Sequence, residues 1–134
     1  MSKSASPRPS SPITRRKVCG SAVDRGLRFT VHDDTPVTPV DPLQLVWDAV
    51  NRITTSGKVL GPAQRITPYE TLRAVTIDAA WQNFEEDIKG SIEVGKLADF
   101  VVLEENPLAV DPEHIKEIRV RTTIVGGEIE YETR

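Results

Sequence analysis

Two proline-led helix starts constrain this chain more than any other feature. In Asp41-Pro42-Leu43-Gln44, Asp41 stands at N-cap, Pro42 at the first helical position and Gln44 three residues after the cap. Leu43, Val46, Trp47 and Val50 follow on one face at helical spacing, which predicts a helix to about Arg52. Thr67-Pro68-Tyr69-Glu70 repeats the capping logic, and Leu72, Val75, Thr76 and Ala79 continue it as a helix ending near Ala80. Between the two, Thr55-Ser56-Gly57-Lys58 and Gly61-Pro62 read as loop.

Segments of strand texture flank these helices. Leu27-Arg28-Phe29-Thr30-Val31-His32 alternates apolar and polar, the period of a strand, and stops at Asp33-Asp34-Thr35-Pro36. After Trp81-Gln82-Asn83-Phe84 and an acidic run, Glu85-Glu86-Asp87, the turn Gly95-Lys96 leads into Leu97–Leu103. That short apolar run predicts a buried strand. Asp111-Pro112 opens a third short helix with Ile115 and Ile118 facing inward, and His114 falls on its exposed side. Val120, Thr122 and Ile124 then alternate into Gly126-Gly127, a pair suited to a two-residue hairpin turn, and Glu128–Tyr131 returns. The sequence reads strand, helices, strands.

With 134 residues the chain has room for one modest domain, whereas a complete (β/α)8 barrel takes about 250. Charge is uneven. Residues 1–28 hold seven Lys or Arg against one acid, Asp24, while residues 29–134 hold ten against nineteen. The Ser-, Pro- and Arg-rich start reads as a disordered basic arm over 1–25. It has no interleaved aromatics for base stacking, so nucleic-acid contact through this arm is the weakest of the functional alternatives. Arg15-Arg16 invites an export reading, but no apolar stretch follows it. A single cysteine, Cys19, fits a cytoplasmic location, and no apolar run approaches the roughly 20 residues of a membrane span.

Five ordered segments together resemble the metal-dependent amidohydrolases, in particular the amidohydrolase 3 branch. Phe29-Thr30-Val31-His32-Asp33-Asp34-Thr35-Pro36-Val37 is similar to the family's strand-end H-x-D-x-P-V. Asp41-Pro42-Leu43 with Trp47–Arg52 is the second segment, and Ala74–Ala80 resembles A-x-T-x-x-A-A. Gly90–Leu103 and the hairpin Ile124–Glu128 complete the set, which spans residues 26–134. Residues 1–22 show no such resemblance.

The resemblance implies an α/β fold. It would be the C-terminal fragment of a metal-dependent (β/α)8-barrel hydrolase, with the last barrel strand and following helices in 26–89. Strands of the family's small β-sandwich domain would occupy 90–134. It also implies hydrolysis of non-peptide carbon–nitrogen bonds, in a small amide-type substrate, by metal-activated water. In the family, the aspartate closing the last barrel strand lies at or beside the metal and relays a proton to the leaving amine. The match falls on Asp34 as catalytic residue and as metal ligand within a complete barrel, with His32 and Asp33 as possible neighbours in the outer shell of that metal. Side chains two apart on a strand share a face, so His32 and Asp34 would look into one cavity.

Complete members bind zinc or another divalent metal. This chain has only two histidines and no His-x-His pair, and a catalytic zinc typically takes three protein ligands. The chain is therefore expected to bind no metal alone and to be inactive alone, as a truncated homologue. The alternative from a different class is a complementing or interaction module that docks on a separately encoded barrel portion. Without the resemblance, Asp33-Asp34 before Pro36 reads as a turn, and Glu85-Glu86-Asp87 as a solvated surface.

Overall fold

The computed structural model describes residues 19–133. Four α-helices come first: α1 Cys19–Asp24, α2 Pro42–Asn51, α3 Pro68–Val75 and α4 Ile77–Gln82. Three strands follow: β1 Phe100–Leu103, β2 Val120–Val125 and β3 Glu128–Glu132. Short 3-10 turns occupy Pro62–Gln64 and Pro112–Glu117. The class is α/β, with one three-stranded antiparallel sheet in the order β1-β2-β3.

The caps form as their residues dictate. Asp41 accepts from the backbone N–H groups of Leu43 and Gln44, both at 3.1 Å. The Gln44 amide does not reach back to complete a box. It donates instead to Asp48 at 3.0 Å. At α3 the box is complete: Glu70 N donates to Thr67 Oγ1 at 3.2 Å, and Thr67 N donates to Glu70 Oε2 at 2.7 Å.

The helix expected to run unbroken to Ala80 divides at Thr76, whose φ of −120° and ψ of −97° are not helical. Gly90 lies against this break. It lies at φ +92°, so close to the break that a Cβ there would stand 2.9 Å from Ile77 Cα and 2.8 Å from Ala80 Cβ. Only glycine allows that approach at that φ.

The main core cluster joins the helices to the C-terminal region. Val46, Trp47 and Val50 of α2 pack on Ile115 of the second 3-10 turn, and Ile115 is fully buried. Trp47 Nε1 donates to Glu113 O at 2.8 Å, and Asn51 Nδ2 donates to Pro112 O at 2.8 Å. Ile118 is buried as expected. The hairpin also forms as its glycines predict: Gly126 and Gly127 both take positive φ, 59° and 88°.

Three expectations need correction. Residues 19–24, placed in the disordered arm, form α1, with Gly20 buried. Gln64 holds this helix, accepting from Ser21 N and donating to Ser21 Oγ, both at 3.0 Å. The rest of the expected arm up to residue 18 lies outside the described residues. Residues 27–33 take no regular secondary structure and form no strand ladder. A barrel strand takes its hydrogen bonds from a neighbour on each side, and no such neighbour stands beside this segment among the described residues. Finally, β1 is not buried: Val101 and Val102 are 54% and 43% exposed. Among the described residues no second sheet lies over it, as a sandwich would require.

Candidate active-site turn

Asp33 and Asp34 close segment 27–34, seven residues ahead of α2. The turn is tied down locally. Val37 N donates to Asp34 O at 2.9 Å, the Thr35 hydroxyl donates to Thr38 O at 3.2 Å, and the Thr38 hydroxyl donates to Asp33 O. The two acids then take different parts. Asp33 Oδ2 accepts from Asp41 N at 3.1 Å, so this carboxylate anchors the turn to the N-terminus of α2. That bond takes the place of the missing Gln44 contact in the capping box. The Asp34 side chain is exposed, and among the described residues no hydrogen bond or ion pair engages its carboxylate.

The shared strand face expected for His32 and Asp34 does not form. Asp34 sits at φ 56°, in the left-handed region, so the alternation of a strand has already ended. His32 instead accepts from the Asp34 backbone N–H through Nδ1 at 3.0 Å. The structure therefore brings His32, Asp33 and Asp34 into one turn with three separate tasks. His32 supports the backbone, Asp33 anchors it, and Asp34 is left open.

These residues do not fit a complete metal site by themselves. A zinc centre typically needs three protein ligands, and two of the three candidates are committed to backbone N–H groups. Among the described residues no three His, Cys, Asp or Glu side chains gather to hold a metal ion, and Glu85-Glu86-Asp87 is no exception.

A second cluster was not foreseen. Asp78 of α4 is only 8% exposed, and its carboxylate lies 3.4 Å from Arg73 and 3.7 Å from Arg28. Hydrogen bonding to Tyr69, then to Asp78, raises the Arg73 pKa above the ordinary guanidinium value. The Arg28 guanidinium also lies over the Trp81 ring, 5.1 Å from its centroid. Arg28, Arg73 and Asp78 border a shallow depression of about 220 Å³ together with Gly26, Leu27 and Phe29. The signal in the sequence is an acid set among Ile77, Ala79, Ala80 and Trp81.

Helices that follow a turn with an open acid, succeeded in the chain by a small antiparallel sheet, make this an α/β unit. The matches to known proteins specify it further. Residues 13–131 match the Amidohydrolase family, and the chain belongs to that family. The match begins at residue 13, earlier than the resemblance at 26, and so takes in part of the basic start.

The chain is 35% identical over 112 residues to the N-substituted formamide deformylase of Arthrobacter pascens, covering 84% of this chain and 21% of that protein. It is 30% identical over 113 residues to YtcJ of Bacillus subtilis (strain 168), covering 82% and 21%. It is 38% identical over 101 residues to LONG AFTER FAR-RED 3 of Arabidopsis thaliana, covering 73% and 17%. The chain thus spans about a fifth of the length of these relatives.

Two solved structures share the fold. Guanine deaminase of E. coli aligns with a TM-score of 0.62 at 22% identity, over 85% of this chain and 30% of its own. An amidohydrolase from Thermotoga maritima MSB8 aligns with a TM-score of 0.58 at 20% identity, over 86% and 26%. Family membership supports a hydrolase-like function, and the family is generally metal-dependent. Among the described residues no helix is long and apolar enough to cross a membrane.

Proposed function

We propose that this chain contributes the closing acid and the C-terminal strands to a hydrolase of non-peptide carbon–nitrogen bonds, and is inactive without barrel strands supplied by another chain. Residues 26–89 stand for the last barrel strand and its helices, and 90–134 for strands of the small sandwich. Asp34 is the catalytic and metal-binding acid of the assembled site. A divalent metal, zinc or another, would be held mainly by residues of the other portion. Its chemistry when bound is to activate water and polarise the scissile carbonyl. The proposal includes a cytoplasmic setting, in keeping with the single Cys19.

The observation that carries this reading is the turn at Asp33-Asp34. One carboxylate is spent on anchoring, and the next is left exposed and unengaged where the family's acid falls. The surface supports the need for a partner. Among the described residues eighteen large hydrophobic side chains are exposed against nine buried hydrophobic residues, with Val94, Ile92 and Phe84 almost fully open.

The test uses the Arthrobacter deformylase cut just ahead of its matched region and mixed with this chain, with an N-substituted formamide as probe. The expected result is a complex that releases formate and loses that activity with Asp34→Ala. A complex whose turnover ignores Asp34→Ala overturns the role of the acid, and failure to form any complex overturns the docking.

A further inference from the structure

The segment 27–33 has no ladder to hold it, yet it must present Asp34 at a defined place. It is restrained at both ends by side chains. Downstream, the Asp33 carboxylate accepts from Asp41 N at the start of α2. Upstream, three contacts reach α4: Arg28 to Asp78 at 3.7 Å, Arg28 over the Trp81 ring, and the Thr30 hydroxyl donating to Gln82.

Asp78 is the hub of the upstream set. It is nearly buried, and helix α4 has little need of it. The Thr76 N-cap makes no side-chain capping bond that Asp78 could share, and an acid in a first turn interacts only weakly with the helix dipole. The two arginines that meet it are 46% and 43% exposed, so solvent screens much of the pairing energy. What remains is geometry. A buried carboxylate between Arg28 and Arg73 links segment 27–33 to α3 and α4 at one point. Trp81 then limits where the Arg28 side chain can lie.

We infer that Asp78 is a positioning residue: through Arg28 it sets the placement of segment 27–33, and so of the Asp34 turn. The inference rests on the proposed role of Asp34, but its test does not. Backbone 15N relaxation on the full chain reads the order of residues 28–34 directly. In the parent these amides should show order parameters near those of α2, about 0.8 or above. Asp78→Asn should lower them below about 0.6 and shift the Asp34 amide resonance, while 43–51 stay unchanged. Asp78→Glu should restore most of the order.

Should Asp78→Asn fail to fold, Arg28→Gln removes the same link from its exposed end and is read the same way. Unchanged order at 28–34 in a folded variant overturns the inference. So does an equal loss of order across α2, which would make Asp78 a general stability residue. Because this signal comes from the isolated chain, it stands or falls apart from the formamide assay.

Discussion

Replacing Ile115 by alanine tests how the two halves of the chain are joined. Ile115 is fully exposed to no solvent at all, packed against Val46, Trp47 and Val50 of α2. The substitution deletes three carbons, which at ~0.8 kcal/mol per buried methylene is about 2.4 kcal/mol of lost transfer energy. The neighbours are a rigid helix and a short turn pinned by the Trp47 and Asn51 hydrogen bonds, so collapse into the cavity is limited. The cavity term then brings the total to about 3–4 kcal/mol, inside the usual range of ~2–5 for such a change. For a unit of this size that is a fall in Tm of roughly 12–16 °C. Urea unfolding followed by tryptophan emission and by circular dichroism measures it, with Ile129→Ala on exposed β3 as a control expected to cost under ~0.5 kcal/mol. A loss below ~1 kcal/mol for Ile115→Ala would refute the shared core.

Other consequences follow from single residues. Thr67→Ala removes the hydroxyl that accepts from Glu70 N while leaving the Thr67 N to Glu70 Oε2 bond, and should cost about 1 kcal/mol in the same denaturation assay. Gly90→Ala forces a side chain onto a φ of +92° and against the break between α3 and α4, and should cost about 2 kcal/mol or more. The hydrogen bond from Ser91, then the Lys96 ammonium, hold the Glu93 carboxyl below its ordinary pKa. Its contribution to stability is therefore present above the ordinary carboxylate pKa and is lost as pH falls through the lowered one. Carboxyl NMR titration should show that depression, and Lys96→Met should lessen it.

What could be read in the sequence was local. Caps depend on residues within one turn of each other, so Asp41, Thr67 and Asp111 announced their helices, and Gly126-Gly127 announced the hairpin. The apolar stripe of α2 and the inward Ile115 and Ile118 were legible for the same reason. Interactions between distant residues were not. Nothing near Thr76 reveals that the helix divides there or that Gly90 will lie against the break. The strand pattern at 27–33 was real as periodicity, but a ladder needs neighbours, and the described residues supply none.

The candidate site divides the same way. Resemblance located the Asp33-Asp34 turn, but not the division of labour within it. That depends on Asp33 reaching Asp41 N, a contact across eight residues. The left-handed φ at Asp34 is what removed the shared face with His32. Asp78 was passed over because its partner Arg28 lies fifty residues away, in a segment read only for its alternation.

Formate release by the purified chain alone, given zinc and an N-substituted formamide, should not rise above the uncatalysed blank, because two of the three residues in the candidate turn are occupied with backbone anchoring. Zinc-dependent turnover that disappears in Asp34→Ala would contradict it.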